Sequence, residues 1–341
     1  MTVSSSIPST IRCVLQPDFS STDLIFTTLP IQLPKEGTDE HLIKVHAVAP
    51  CADELLWLRD YAHLMSPDRI GIPCYDVSGV VVTAPADSPF QPGTEVYART
   101  PGKDTGNTRE YTIAKTVHLA VKPKNLSWEE AAAAPISAFT AYQALFEHGD
   151  IKLGWKDEVG RLENSKKRIL ITAGSGGVGT WAVQLAKLAG VGEIIAVVGP
   201  SNVDFIKSLG ATEVINYREQ SLSFWATCNP EVDLVFDLLG GQTLAEAWTA
   251  VKDFGILLGV KEAPESRKPK EMESATLPKE VKNYWFLMRS DGSQLGEITK
   301  LIEAGLLRPF LDSIWEFEDA KKAFEKVESG HSRGKVVIKL L

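Results

Sequence analysis

The order of apolar and polar positions divides the chain in two. Up to about residue 125 it reads as short apolar segments broken by Pro and Gly. Segments 42–48, 77–82, 95–98 and 110–113 are the clearest, and Pro92-Gly93 and Pro101-Gly102 punctuate them as turns. That pattern predicts a β-rich region. At Leu126 it changes. Ser127 is placed to cap a helix with Glu129 and Glu130 in its first turn, where negative charge suits the helix dipole. From Arg168 onward strands and helices alternate, with strands predicted over 168–172, 193–198, 213–215, 232–236 and 254–260, and helices over 178–190, 202–209 and 242–252. Alternation at this spacing implies a parallel sheet with right-handed crossovers. A sixth strand is expected over 284–288, a helix over 317–329 and a last strand over 335–340. The charged stretch 152–167 reads as a surface insertion ahead of the first strand, and 263–282 as a mobile loop. The fold class is therefore α/β, a β-rich part joined to a doubly wound parallel sheet.

The start of the alternating array carries the chemistry. In 168-RILITAGSGGVGTWAVQLAKLAG-190 a mostly apolar run meets Gly174, Gly176 and Gly179, spaced G-x-G-x-x-G, and an amphipathic helix follows. Gly174 permits the tight turn, Gly176 lets the backbone approach a pyrophosphate, and Gly179 lets helix pack on strand. With Ser175, Gly177 and Val178 they form a cradle at a helix N-terminus, where free N–H groups favour anions. An NAD site usually carries an acidic residue at the end of the second strand. Here that strand ends in Gly199-Pro200-Ser201-Asn202, with no carboxylate. Ser201, Asn202 and, after the third strand, Tyr217 can donate to a 2′-phosphate. Lys207 and Arg218 are cations near enough to fold in. The reading favours NADPH over NADH.

Composition narrows the class. The 341 residues are 44% hydrophobic and 23% charged, enough for two cored domains, and the net charge of −8 repels nucleic acid and anionic membrane. Cys13, Cys51, Cys74 and Cys228 show no C-x-x-C spacing, which argues against a disulfide framework and a four-thiolate zinc lobe. The stretch MTVSSSIPST lacks the basic and apolar regions of a signal peptide, and the longest apolar run, 131–146, is interrupted and too short for a bilayer. A cytoplasmic protein is expected.

With these residues assembled, the chain resembles the medium-chain dehydrogenase/reductase superfamily, in its zinc-free quinone oxidoreductase-like and enoyl reductase-like branch. The resemblance rests on 75-YDVSGV-80, 131-AAAAPISAFTAYQAL-145, the glycine loop, 209-LGATEVINY-217, 232-VDLVFDLLGG-241 and 330-GHSRGKVV-337. The stretches 131–145 and 330–337, with the insertion before the first strand, look most like fungal members. The resemblance implies a GroES-like domain over 1–127, completed by 289–341, a Rossmann domain over 128–288, and an active site in the cleft. Zinc members carry a Cys and a Gly-His-Glu where this chain has 50–53 and Cys74-Tyr75-Asp76. The His place holds Tyr75, and Cys51 and Cys74 fall one residue off. Cys51, Cys74, His46 and Asp76 are the residues with metal-binding atoms in reach, but buried thiols beside a core are the plainer reading, so no metal is expected.

Without a Lewis acid, reduction of a conjugated acceptor is easier than alcohol oxidation. The enolate or hydroquinone anion needs only hydrogen-bond donors and a proton. Candidate hydroxyls are Tyr61, Tyr75 and Thr140. By resemblance, Tyr61 falls near an active-site aromatic and Thr140 at a position approaching the nicotinamide. The resemblance also sets Leu258, Gly259 and Val260 beside the nicotinamide, with Arg333 and Lys335 near the cofactor. Phe286 and Met288 are candidates to wall the substrate side. Trp57 and Trp225 fit either core or cleft. The expected activity is NADPH-dependent hydride transfer to a small-molecule quinone, enone or polyketide-like enoyl substrate, by a monomer or homodimer. The other class is a catalytically silent NADPH-binding protein that acts as a redox sensor or complex subunit.

Overall fold

A computed structural model describes residues 7–270 and 280–341. The chain forms two compact units, Met1–Ile136 with Arg289–Leu341, and Ser137–Met288.

The first unit begins with β1 (Thr10–Leu15) and β2 (Ile25–Pro30), an antiparallel ribbon. Then come β3 (Glu40–Ala49), a short helix α1 (Trp57–Asp60), β4 (Asp76–Thr83), β5 (Glu95–Arg99), β6 (Tyr111–Lys115), β7 (Leu119–Val121) and α2 (Trp128–Ala132). Alternation along these strands turns Val45, Val77, Val81 and Val96 into one core. The cap at Ser127 is a full capping box: its hydroxyl accepts the Glu130 N–H at 3.2 Å, and the Glu130 carboxylate accepts the Ser127 N–H at 3.0 Å. Helix α2 packs on β3 and β4 of this unit. Ser78 Oγ donates to the Trp128 carbonyl at 2.7 Å, and the Trp128 ring stacks on His46 at 4.2 Å. The second unit therefore starts at Ser137, later than the expected 128.

Helix α3 (Pro135–Gln143) leads into the second unit and runs on as a π-helical turn, Ala144–His148. The array follows as α4 (Glu158–Asn164), β8 (Arg168–Ile171), α5 (Gly177–Ala189), β9 (Glu193–Val198), α6 (Val203–Leu209), β10 (Glu213–Asn216), α7 (Leu222–Cys228), β11 (Val232–Asp237), α8 (Gly241–Ala250), β12 (Val251–Gly259) and β13 (Lys282–Trp285). The sheet is parallel, in the order β10-β9-β8-β11-β12-β13. Counted within the unit this is 3-2-1-4-5-6, the doubly wound order. Central strands covered on both faces need apolar side chains throughout. Ile169, Leu170, Ile171, Leu234, Val235 and Phe236 are accordingly all buried. Trp225 and Trp248 fill the same core, which settles Trp225 as structural.

The chain returns to the first unit through α9 (Gly292–Glu303), β14 (Leu311–Glu316), α10 (Ala320–Glu328) and β15 (Lys335–Lys339). Its larger sheet runs β14-β15-β3-β4-β5-β7, with β6 paired to β3.

Several expectations shift. The sixth strand lies at Lys282–Trp285, not 284–288, because its register on β12 starts at Lys282 opposite Ile256 and ends at Trp285 opposite Gly259. Stretch 152–167 is not plain insertion: the Asp157 carboxylate caps α4 by accepting the N–H groups of Val159 (3.1 Å) and Gly160 (2.9 Å). In the expected loop 263–282, Pro264–Arg267 forms a 3₁₀ turn, and 271–279 lie outside the described residues. Among the described residues no helix is long and apolar enough to cross a membrane.

Candidate dinucleotide site and the polar core of the first unit

In the second unit the glycine loop joins β8 to α5. A Cβ added at Gly179 would lie 2.3 Å from the Ala173 carbonyl oxygen, and one at Gly174 would lie 2.9 Å from Ala196 Cβ. Both glycines are required by packing. Gly176 differs. An added Cβ there meets only the Ala173 oxygen, at 3.3 Å, and its backbone (φ −76°, ψ 178°) is open to any residue. The fold leaves that side clear. Helix α5 has Gly176 as N-cap, with no side-chain cap and no acid in its first turn. Ser175, Gly177 and Val178 are half-buried around it. Uncapped N–H groups at the start of a thirteen-residue helix form a seat for an anion. The loop lies beside β8, whose other neighbour is β11. The strand order reverses there, and this reversal is where open α/β sheets take their ligands. The residues present thus fit a dinucleotide.

At the tip of β9, Tyr217 lies over Gly199: a Cβ added at Gly199 would be 3.1 Å from the Tyr217 hydroxyl. The Arg218 guanidinium covers the Tyr217 ring, 5.3 Å from its centroid. Ser201 is exposed and Asn202 half-buried beside them. The structure therefore brings Arg218 to the sequence-expected group.

At the end of β12, Leu258 and Gly259 are buried, and Val260 just beyond is half-buried. The Val260 N–H donates to the Asp237 carbonyl at 3.3 Å, so this segment shares the carboxyl edge of the sheet with the glycine loop. Phe286 is buried against the His148 ring, with centroids 4.7 Å apart, and Met288 is half-buried. Thr140 is 6% exposed within α3.

In the first unit, Tyr75 is not an exposed acid. It is 3% exposed, stacked on Trp57 at 5.6 Å, and its hydroxyl accepts a hydrogen bond from the Arg69 guanidinium. Burial pushes its pKa up to about 12, against the pull of Arg69. Trp57 is thus a partner of Tyr75. Tyr61 is half-buried just after α1. Lys335 is buried in the first unit. Its Nζ donates to the Pro50 carbonyl at 2.8 Å and lies 3.7 Å from Asp76 Oδ2. Arg333 is exposed, and its N–H donates to Asp312 Oδ1 at 2.8 Å.

Sequence reasoning missed Glu54. Its buried carboxylate accepts the Cys51 N–H at 2.7 Å and the Cys74 N–H at 2.5 Å. It ties together two loops that contain the left-handed residues Asp53 (φ 62°) and Cys74 (φ 64°). Burial raises its pKa to about 7, and that of Asp76 to about 6. Only the tertiary fold makes these two loops neighbours, and no local pattern marks Glu54.

A zinc ion does not fit these donors. His46 is stacked flat on Trp128, the Asp76 carboxylate is taken by the Ile136 N–H (2.9 Å) and faces Lys335, and Tyr75 adds no ligand of the right kind. Among the described residues no group of three or more His, Cys, Asp or Glu is placed to hold a metal ion.

Comparisons with known proteins follow the same outline. A family model described as zinc-binding dehydrogenase matches residues 209–338. The chain is 44% identical over 338 residues to a probable zinc-binding oxidoreductase, mitochondrial, of Arthroderma benhamiae, covering 98% of each. It is 30% identical to the 2-methylene-furan-3-one reductase of Solanum lycopersicum, over 98% of this chain and 80% of that protein. Among solved structures, the quinone oxidoreductase of Coxiella burnetii superposes with a TM-score of 0.78 at 26% identity, over 97% of this chain and all (100%) of the other. The chain belongs to the medium-chain dehydrogenase/reductase superfamily, in its quinone oxidoreductase-like zinc-binding oxidoreductase family. It is an oxidoreductase built from a GroES-like and a Rossmann-like domain.

Proposed function

We propose that the protein is an NADPH-dependent, zinc-independent reductase that delivers hydride to a quinone or an α,β-unsaturated carbonyl compound. The observation that carries the reading is the open cradle at Gly176 together with a β9 tip that holds no carboxylate. A carboxylate there would bond the ribose hydroxyl of NADH and repel a 2′-phosphate. In its place stand Ser201, Asn202, Tyr217 and the Arg218 guanidinium, a donor set suited to phosphate.

The bound nicotinamide supplies the hydride. The chain's own residues bind and orient. The backbone of Ser175, Gly176, Gly177 and Val178 seats the pyrophosphate, and Leu258 to Val260 stand on the same sheet edge to flank the ring. Thr140, in the same unit as the cradle, is the hydroxyl offered to the developing oxyanion. Catalysis by placement needs no strongly shifted acid. The names of the relatives, a quinone oxidoreductase and a furanone reductase, support the acceptor class. The unsuited zinc donors support a metal-free reaction.

The test is NADPH oxidation by metal-analysed protein against a panel of quinones, enones and thioester enoyl analogues, with NADH run in parallel. Turnover of at least one quinone or enone, with NADPH preferred and no stoichiometric zinc, is expected. Tight NADPH binding without any turnover would instead favour a silent NADPH-binding protein, and an NADH preference would overturn the cofactor assignment.

A further inference from the structure

Asp237 closes β11 and is completely buried, with Thr172 equally buried at the end of β8. These two strands are the neighbours between which the strand order reverses. Thr172 Oγ1 donates to Asp237 Oδ1 at 2.9 Å, bridging the floor of the reversal. The same oxygen of Thr172 accepts the Leu238 N–H at 2.8 Å. Asp237 Oδ2 accepts the N–H groups of Leu239 (3.2 Å) and Gly240 (2.6 Å). One residue further, the Glu262 carboxylate accepts the Gly241 N–H at 2.8 Å. Gly240 and Gly241 both have positive φ, 71° and 57°. Four successive amides after β11, those of residues 238 to 241, are therefore held by three side chains, Thr172, Asp237 and Glu262. The turn they form follows β11, the strand paired with β8, from whose end the glycine loop runs.

A buried carboxylate is costly to keep, and burial raises the Asp237 pKa against the donors that hold it. A turn that only had to reverse the chain would not require a charge. What the charge adds is stiffness. Hydrogen bonds to an ionised acceptor are about twice as strong as neutral ones, and the Thr172 hydroxyl, donating and accepting at once, couples the β8 end to the β11 turn.

We infer that Asp237, acting through Thr172, is a positioning residue of the dinucleotide site: it fixes the 238–241 turn so that both walls of the ligand crevice stand ready for the cofactor. This rests on the NADPH-binding reading above. The clamp lies at the strand reversal and not at the β9 tip. It serves the part of the cofactor that NADPH and NADH share.

The experiment is fluorescence titration of NADPH and NADH with the full chain, its Asp237→Asn, Thr172→Val and Thr172→Ser variants, and steady-state KM and kcat with a quinone acceptor. Asn offers an N–H₂ where an acceptor is needed, so Asp237→Asn should raise both dissociation constants about tenfold, the equivalent of roughly one lost hydrogen bond. KM for NADPH should rise with them while kcat stays within about threefold, the sign of lost uniform binding. Thr172→Val should act alike, and Thr172→Ser should restore the wild-type value. If Asp237→Asn does not fold, the Thr172 pair decides alone. Unchanged affinity in folded Asp237→Asn and Thr172→Val, with the wild type binding NADPH, overturns the clamp and leaves the cofactor reading intact. An effect on NADPH alone also overturns it. A wild type that binds neither cofactor overturns both.

Discussion

The glycine cradle of the second unit and the polar core of the first unit contrast in what they are made of. The cradle is backbone. Gly174, Gly176 and Gly179 stand within six residues, and the anion seat exists because a helix starts there. The polar core is side chains: Glu54, Tyr75, Asp76, Arg69 and Lys335 come from loops and strands spread between positions 54 and 335. A backbone site tolerates no Cβ where the ligand sits, but needs no particular side chain. A side-chain site depends on each buried group keeping its partner. The two should therefore fail in opposite ways, one in affinity and the other in stability.

The sharpest break is at the cradle. Gly176→Val should leave the fold intact, since only one atom approaches the new Cβ, yet place a side chain where the pyrophosphate belongs. Loss of two charged hydrogen bonds, at roughly 1.5–3 kcal/mol each, predicts a rise in the NADPH dissociation constant of about 100-fold or more. Gly179→Ala is the counterpart. Its Cβ would press on the Ala173 carbonyl oxygen at 2.3 Å, so stability should fall by about 1–3 kcal/mol or more. Titration beside chemical denaturation reads both. Equal affinity in Gly176→Val and wild type would reduce the loop to a turn.

The same contrast explains what was legible in the sequence. Strands β8, β9 and β11, helix α5 and the cap at Ser127 follow from local patterns, because parallel strands buried on both faces must be apolar and caps lie next to what they cap. Strands β1, β2 and β14 were missed. Strand β2 exposes much of its length and no residue of β14 is fully buried, so their apolar signal is weak, and in the six-residue β1 the exposed Thr10 and Arg12 interrupt the buried Ile11, Cys13 and Val14. Helices α7 and α9 were missed although Ser221 and Asp291 cap them. Tyr75 was singled out by its place in a motif, but nothing local told of Arg69 or Trp57 around it. Asp237 stood in plain view before a Gly-Gly turn. Its partner Thr172 lies 65 residues away, and only the pairing of β8 with β11 joins them.

A milder break falls on the polar core. Tyr75→Phe keeps the ring on Trp57 but removes one acceptor of the half-buried Arg69 guanidinium, which still donates to the Gly102 carbonyl. Leaving one charged donor unpaired should cost about 1–3 kcal/mol of stability. Turnover should fall by less than about 100-fold, the low end of general-acid contributions. Denaturation midpoints and steady-state rates on one quinone separate the two effects. A large rate loss at unchanged stability would make Tyr75 a proton donor after all and erase the contrast.

The smallest effect is in the pH dependence of the same core. Glu54 is raised by burial from its ordinary 4.5 to about 7, and Asp76 from 3.8 to about 6. Lys335 and the backbone N–H groups of Cys51 and Cys74 oppose the rise at Glu54, and the Asp76 carboxylate adds to it. A carboxyl whose folded-state pKa lies above its unfolded value binds the extra proton in the native state. Its contribution therefore favours folding below the unfolded pKa, declines as pH climbs from about 4.5 to 7, and is flat above. Glu54→Gln removes that titration while keeping the shape. Relative to wild type, the variant should gain stability on the order of 1 kcal/mol between about pH 5 and pH 8, a fraction of the 1.36 kcal/mol per pH unit that one fully displaced proton carries. Carboxylates held low by ion pairs, such as Asp150 at about 2, act at lower pH and cancel in the difference. Urea denaturation of both proteins across that range measures it. A difference that stays level, or that shifts in favour of the wild type as pH rises, would mean that Glu54 keeps its charge in the folded state, and that the two amides it accepts outweigh its burial.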